Sequence, residues 1–190
     1  MKLDTGTELP DKFILTDEFK EFCKLINDTS TNLFITGKAG SGKSTLLEYF
    51  RQNTEKNIAT LAHQGITAIK AKGQTIHSFF KFRPHFISDQ DIKILIGDKK
   101  KVLQNLDTIL IDEISMVRAD LFDAINLSLK KNRKNNKPFG GVQIILFGDV
   151  MQIDPIVSSV EKEIMEKFYP NGRFFLILIY TKKEILNKLN

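Results

Sequence analysis

The sequence is poor in the residues that build disulfide-rich, zinc-binding or membrane-spanning proteins. Cys23 is its only cysteine, so the chain can form neither an internal disulfide nor a cysteine-rich zinc site. The longest apolar run, Phe174 to Tyr180, fits a buried strand and is far shorter than the roughly 20 residues that cross a bilayer. The first residues, MKLDTGTELPDK, lack the apolar segment of a signal peptide. These absences predict a globular protein of a reducing compartment, with no membrane association.

The overall composition is typical of one soluble domain with a mild positive charge. Its 190 residues are enough for one full-sized domain and too few for two large ones. Hydrophobic residues make up 42% of the chain and charged residues 27%. The net charge of +5 permits a polyanionic partner, but a coding style that favours lysine and asparagine explains it equally well.

Residues 32–50, NLFITGKAGSGKSTLLEYF, indicate a short strand, a glycine-rich turn and a helix. The turn matches the pattern G-x-x-x-x-G-K-[ST] through Gly37, Gly42, Lys43 and Ser44. Glycines let successive backbone N–H groups point at a phosphate, and the helix that follows adds its positive N-terminal end. This pattern predicts a site for the phosphates of a nucleotide and for Mg²⁺. The predicted nucleotide-binding residues are Gly37, Ala39, Gly40, Ser41, Gly42, Lys43, Ser44 and Thr45.

Further apolar strands alternate with helices along the rest of the chain. The predicted strands cover residues 57–62, 107–113, 142–147 and 174–179. The predicted helices cover residues 17–26, 64–71, 119–134 and 159–167, and another opens at residues 75–80. This alternation predicts an α/β fold of the P-loop NTPase type, with a mostly parallel sheet and helices on both faces. The phosphate site should lie at the carboxyl ends of the strands.

Two acidic residues end the strand at residues 107–113. Asp112 is placed to hold Mg²⁺ through its water shell, and Glu113 to activate the attacking water as a general base. An isolated Asp-Glu pair is more often a loop feature without a role. Because this pair follows a phosphate loop and an apolar strand, we predict a catalytic site.

Residues 81–106 give the weakest structural signal. Just before and within this stretch, three phenylalanines at 80, 82 and 86 alternate with Lys81, Arg83 and His85. Such alternation can form a stacking surface for single-stranded nucleic acid, or the rings can pack into the core while the charges face water. Lys99 to Lys101 are expected on a solvated helix face.

Four motifs together resemble one protein family. TGKAGSGKSTLL, GQTIHSFF, LIDEISMVRADL and PFGGVQIILFGD occur in the order found in PIF-type DNA helicases, relatives of the RecD-like superfamily-one helicases. The resemblance runs from about Leu15 to Phe175. It implies that residues 1–190 form the first RecA-like motor domain of an ATP-driven helicase that moves 5′ to 3′ on single-stranded DNA.

The same resemblance implies a role for individual residues. Lys43 and Ser44 would bind phosphate and Mg²⁺, Asp112 would hold Mg²⁺, Glu113 would be the base and Gln152 the γ-phosphate sensor. The expected DNA-contacting residues are Gly65, Thr75, His77 and Ser78, although His77 could equally be a core or capping histidine. The basic residues at 130–134 are expected on a solvated or DNA-facing patch.

A second RecA-like domain is expected in cis or in trans. It would carry an arginine finger, and the C-terminus at Asn190 looks like the start of a helix cut short. The resemblance implies a location with DNA: the cytoplasm near the nucleoid in a prokaryote, or the nucleus or mitochondrion in a eukaryote.

Three departures from the family pattern affect these expectations. Phe19 stands where the family has an adenine-reading glutamine, so specificity for adenine is open. Residues 62–65 are Ala-His-Gln-Gly in place of Ala-Pro-Thr-Gly, and Asp154 replaces a proline beside Gln152.

The alternative function is a nucleotide-dependent switch or binding module, or a degenerate helicase fragment without motor activity. A GTPase is disfavoured because no Asn-Lys-x-Asp motif is present, and a small-molecule kinase because no arginine-rich lid is evident.

Overall fold

A five-stranded parallel sheet forms the centre of the computed structural model, which describes residues 14–38, 40–149 and 157–170. The strand order is β1-β5-β4-β2-β3. The strands are β1 Leu33–Thr36, β2 Ile58–Ala62, β3 Gln74–Thr75, β4 Thr108–Asp112 and β5 Gln143–Gly148. The predicted α/β fold with a parallel sheet is confirmed. The predicted strand at 174–179 lies outside the described residues.

Seven helices occur within the described ranges, beside three short 3-10 segments. They are α1 Asp17–Asp28, α2 Lys43–Asn53, α3 Gly65–Lys70, α4 Ile76–Phe80, α5 Gly97–Asn105, α6 Ala119–Arg133 and α7 Ser159–Phe168. The 3-10 segments are Asp89–Asp91, Ile114–Met116 and Pro138–Gly141. None of the helices in these ranges is both long and apolar enough to cross a membrane.

The sheet separates two hydrophobic clusters, because successive side chains of a strand point to opposite faces. In β4, Leu110 joins the cluster formed with α1 and α2, whereas Ile109 and Ile111 join the larger cluster with α5 and α6. Neighbouring β5 divides in the same way, with Ile145 in the first cluster and Ile144 in the second. Helices on both faces, as predicted, therefore bury all of β5 and every residue of β4 except Asp112.

The lone cysteine lies in the smaller cluster, on the inner face of α1. Cys23 is 8% exposed, and burial raises the pKa of its thiol to about 11. Its thiol is therefore protonated near neutral pH, as expected of a structural rather than a reactive cysteine.

Two of the three phenylalanines at positions 80, 82 and 86 pack inward. Phe80 is 2% exposed and Phe82 stacks on it, with ring centroids 5.2 Å apart, against the larger cluster. Phe86 is partly buried and lies 5.5 Å from the ring of Phe168. Core packing thus describes Phe80 and Phe82, whereas Phe86 contacts the exposed ring of Phe168. Downstream, Lys99 and Lys101 are exposed on α5, as expected.

The basic stretch at the end of α6 is partly structural. Arg133 donates hydrogen bonds to the carbonyls of Gln104, Leu106 and Gly140, at 2.9, 3.0 and 2.9 Å. Its guanidinium therefore binds the free carbonyl groups at the C-terminal end of α5. This structural role differs from the solvated or DNA-facing one that the sequence suggested. Lys134 is exposed, whereas Lys130, Lys131 and Arg133 are partly buried.

Candidate nucleotide site and adjoining nucleic-acid motifs

The phosphate loop connects β1 to α2 in a conformation that requires glycine. Gly40 and Gly42 have φ angles of 81° and 87°, in the left-handed region that L side chains rarely adopt. Gly42 directly precedes α2, so the first N–H groups of that helix lie at the loop. Ala39 lies outside the described residues.

Lys43 reaches back across this loop. Its ammonium donates hydrogen bonds to the carbonyl oxygens of Gly37 and Lys38, the second at 3.0 Å, and lies 3.5 Å from Ser41 Oγ. Ser44 is exposed in the first turn of α2. The loop thus presents the Lys43 ammonium and the Ser44 hydroxyl at the N-terminus of a helix, the arrangement expected for binding a phosphate group.

Phe19 packs beside the same loop. Its Cζ lies 3.6 Å from the position that a Cβ on Gly42 would occupy, and the ring is partly buried against the smaller cluster. The residue that replaces the family's glutamine is therefore part of the support of the loop. An apolar ring at this place offers no hydrogen bond to a base.

Asp112 is the last residue of β4, at the same edge of the sheet as the loop. Burial raises the pKa of its carboxyl, the N–H of Glu113 opposes this by donating a hydrogen bond at 2.9 Å, and the charge of Glu113 raises it again. Lys43 lowers the pKa of Asp112 through its positive charge. The predicted phosphate-binding lysine and the predicted Mg²⁺ ligand therefore interact electrostatically. A nearby cation such as Mg²⁺ would stabilise the ionised form in the same direction.

Glu113 is held at both its backbone and its side chain. Its φ and ψ angles are 51° and 49°, a left-handed conformation that is uncommon for a residue other than glycine. Its carboxylate Oε2 accepts a hydrogen bond from Thr67 Oγ1 at 2.9 Å. Thr67, on α3, is a site residue that the sequence analysis missed, because no motif links positions 46 residues apart.

The turn after Glu113 packs tightly on the end of β5. A Cβ on Gly148 would lie 2.8 Å from Ile114 Cγ2 and 3.2 Å from the N atom of the same residue. Only glycine fits this contact without a shift. β5 lies between β1 and β4, so the segment that follows it starts between the phosphate loop and Asp112. Gln152 belongs to that segment but lies outside the described residues.

The predicted DNA-contacting residues lie at the far side of the sheet. Pairing of β2 with β3 joins Ala62 to Thr75, which brings the segment of Gly65 next to that of His77 and Ser78. Gly65 is exposed and has open space around its Cα. Thr75 is the N-cap of α4, since its side chain accepts a hydrogen bond from the N–H of Ser78 at 3.2 Å. A structural role of Thr75 is thus established beside the predicted contact with DNA.

His77 pairs with a second histidine that the family pattern does not predict. The rings of His63 and His77 lie 5.9 Å apart, edge to face, and both are partly buried. Burial lowers the pKa of both imidazoles. The charge of His63 lowers the pKa of His77 further, Arg118 lowers both pKa values, and Asp120 opposes this. Within the described chain, the buried Nδ1 of His63 has no hydrogen-bond partner. His77 is therefore partly buried, as a core histidine would be, and not fully open to solvent.

Because the pKa values of His63 and His77 are lowered, we expect mild acidification to destabilise the folded chain. A histidine with a lowered pKa binds fewer protons in the folded than in the unfolded chain. Its contribution to folding stability is therefore complete above about pH 6.5, the unfolded pKa, and is lost as the pH falls from there towards the lowered pKa of the folded state. We expect the free energy of unfolding to fall between about pH 7 and pH 5.5, and His63→Gln to make this fall smaller. Urea unfolding across this range measures it. The same change at the exposed His85 is the control, and an equal effect there would contradict the assignment.

Arg118 anchors a buried ionic network below these histidines. It forms two hydrogen bonds to Asp120, at 2.9 and 2.7 Å, and one to Glu161 on α7 at 3.1 Å. Asp120 is fully buried and also accepts a hydrogen bond from the N–H of Ile87. The network joins three parts of the chain near the site, and the motif LIDEISMVRADL contains two of its members.

No cage of three or more histidine, cysteine or acidic side chains for a metal ion occurs in the described ranges. Mg²⁺ in nucleotide sites does not need one, because it keeps several waters and binds one or two protein ligands and the phosphates. Ser44 and Asp112 fit that requirement.

Comparison with known proteins identifies one family. The model of the PIF1-like helicase family matches residues 14–170. The ATP-dependent DNA helicase Pif1 of Psychrobacter sp. (strain PRwf-1) is 40% identical over 139 residues, which cover 70% of this chain and 21% of that protein. The ATP-dependent DNA helicase RRM3 of Saccharomyces cerevisiae is 34% identical over 167 residues, which cover 80% of this chain and 22% of that protein.

Solved structures agree with the sequence relatives. The Pif1 helicase from Bacteroides in complex with ADP-AlF3 and single-stranded DNA is similar with a TM-score of 0.80 and 42% identity, over 86% of this chain and 38% of that one. The chain thus spans about a fifth of the sequence relatives and well under half of the solved protein. The family model covers most of this chain, and a solved member of the family is similar to it in fold. This chain therefore belongs to the PIF1-like helicase family.

Proposed function

We propose that the chain is the ATP-binding and ATP-hydrolysing motor domain of a DNA helicase that acts on single-stranded DNA. The observation that carries the proposal is that the phosphate loop after β1 and the acidic end of β4 lie at the same edge of the parallel sheet, on either side of β5. Relatives named ATP-dependent DNA helicases, and a solved relative bound to ADP-AlF3 and single-stranded DNA, support it. Movement in the 5′ to 3′ direction and a location with cellular DNA belong to the same proposal.

Each group has a distinct task in the proposed hydrolysis of ATP. The loop N–H groups and Lys43 bind the phosphates and balance their negative charge. Ser44 and Asp112 hold Mg²⁺, which when bound neutralises charge on the phosphate oxygens. Glu113 accepts a proton from the attacking water, as a general base must. Gln152 follows β5, and we assign it the role of sensing the γ-phosphate.

A second RecA-like domain is required for fast turnover in this proposal. The cation that acts on Asp112 within the described residues is Lys43 of the phosphate loop. An arginine finger from another domain raises the rate of related phosphate reactions about 10³–10⁵-fold. We therefore expect slow hydrolysis by this chain alone, and translocation only with the second domain.

Lys43→Ala should lower the affinity for ATP by about tenfold or more, because a hydrogen bond to a charged group contributes roughly 1.5–3 kcal/mol. Titration with a fluorescent ATP analogue measures the affinity. Lys99→Ala, at an exposed lysine of α5, is the matched control and should bind as the unaltered chain does. Unchanged affinity of Lys43→Ala would show that the site is assigned wrongly.

ATP turnover with and without single-stranded DNA separates the proposed function from its alternative. A motor domain should hydrolyse ATP faster with the DNA present, because the DNA motifs and the nucleotide site share one sheet. A nucleotide-dependent switch without motor activity should bind ATP with no response to DNA. Absence of stimulation would therefore favour the switch.

A further inference from the structure

Helix α3 has two faces with different surroundings. Thr67 and Ala68 are buried, whereas Ile66 and Ile69 are 69% and 78% exposed. The helix follows β2 at the end of the sheet that carries the proposed active site, and its first residue is Gly65, a proposed DNA contact. One side of α3 therefore faces Glu113 and the other is open to a partner.

The contact with Glu113 is a single directed hydrogen bond. Thr67 Oγ1 donates to Oε2 at 2.9 Å, so one of the two carboxylate oxygens is held by a group on α3. The backbone of Glu113 is fixed in its left-handed conformation by the turn of Ile114–Met116. The direction of the carboxylate therefore depends on the position of α3.

Helix α3 is also suited to small displacements. It has six residues, fewer than a helix needs for stability on its own, so its position depends on its neighbours. Its N-cap residue, Gln64, makes no side-chain capping hydrogen bond. A strand of nucleic acid pressing on the exposed face would act directly on the element that holds Glu113.

We infer that Thr67 is a positioning residue that restrains Glu113, and that nucleic acid bound to the exposed face of α3 weakens this hydrogen bond and releases the carboxylate for water activation. This inference rests on the proposed function. It assigns a route by which single-stranded DNA stimulates hydrolysis: through Thr67 to the base, with no change in the binding of ATP. The hydroxyl of Thr67 takes no part in the chemical step.

The test is single-turnover hydrolysis of ATP by the chain, with protein in excess, in the presence and absence of single-stranded DNA. Thr67→Val removes the hydroxyl and keeps the shape. We expect it to raise the rate without DNA by about tenfold, the equivalent of one hydrogen bond to a charged group. The rate with saturating DNA and the affinity for ATP should not change, so the stimulation by DNA falls by the same factor.

Two further variants distinguish a positioning role from a structural one. Thr67→Ser keeps the donor and should behave as the unaltered chain. Thr67→Ala removes the donor without placing a methyl group beside the carboxylate, and should repeat the result of Thr67→Val if that variant folds poorly. In a Glu113→Gln background, Thr67→Val should have no effect on the residual rate, because the residue acts only through Glu113.

Either of two results would overturn the inference. A lower rate without DNA in both Thr67→Val and Thr67→Ala would mean that the bond aligns the base instead of restraining it. Normal stimulation by DNA in both variants would mean that the bond is structural only. Failure of the proposed function looks different, since the unaltered chain itself would then show no stimulation by DNA.

Discussion

Glu113→Gln should lower the rate of ATP hydrolysis by about 10²–10⁴-fold, the usual contribution of a general base. Glutamine has nearly the same shape and cannot accept the proton of the attacking water. Its amide oxygen can still accept the hydrogen bond from Thr67, so the turn after β4 should keep its conformation. Binding of ATP should be unchanged, because the loop and Asp112 are intact.

Measurement of binding and turnover on the same samples decides the assignment. Fluorescence titration gives the affinity for ATP, and release of phosphate gives the rate. Glu163→Gln, at an exposed position on α7, is the matched control and should change neither. An unaltered rate in Glu113→Gln would exclude this carboxylate as the base. Loss of ATP binding would instead point to a role in shaping the site.

Asp120→Ala should lower the free energy of unfolding by about 3–5 kcal/mol, the cost of breaking a buried ion pair by removing one partner. The Asp120 side chain is fully buried, and that of Arg118 is 14% exposed. Removal of the carboxylate leaves this guanidinium with one hydrogen-bonded acid, Glu161, and leaves the N–H of Ile87 without its acceptor. The hydrogen bonds with Asp120 also raise the pKa of Arg118, so the arginine stays charged.

Equilibrium unfolding in urea measures this loss. Asp120→Asn is the milder variant, since the amide oxygen can still accept from Ile87, and it provides the measurement if Asp120→Ala does not fold. Asp98→Ala is the control, because Asp98 pairs with Lys101 at the surface and its side chain is 96% exposed. Such pairs contribute about 0–1 kcal/mol. A loss for Asp120→Ala as small as that of the control would contradict the buried network.

The segments predicted correctly are those whose structure depends on neighbouring residues. The glycine spacing of the phosphate loop determines its φ angles locally, and Gly40 and Gly42 adopt the left-handed conformation that glycine allows. Thr16 caps α1 in the same local way, by accepting a hydrogen bond from the N–H of Phe19 three residues on. The β4 strand ends at Asp112, within one residue of its predicted end.

The segments that were unreadable or missed depend on residues far away in the chain. Residues 81–106 contain little regular periodicity, and their place is determined by contacts such as those of Arg133 with the end of α5. The two-residue strand β3 exists only because β2 lies beside it. The sequence predicted the helix that opens at residues 75–80, which is α4, but not this strand before it. Spacing along the chain carries no signal for such pairings.

The sequence by itself determined the chemistry available to this protein: a phosphate loop, two acids after an apolar strand, and a sheet with helices on both faces. These follow from local backbone preference and from hydrophobic period, which act over a few residues. Only the tertiary structure decided how those parts meet. The strand order β1-β5-β4-β2-β3 puts β2 beside β4, and this alone brings Thr67 to Glu113 and makes α3 part of the candidate site.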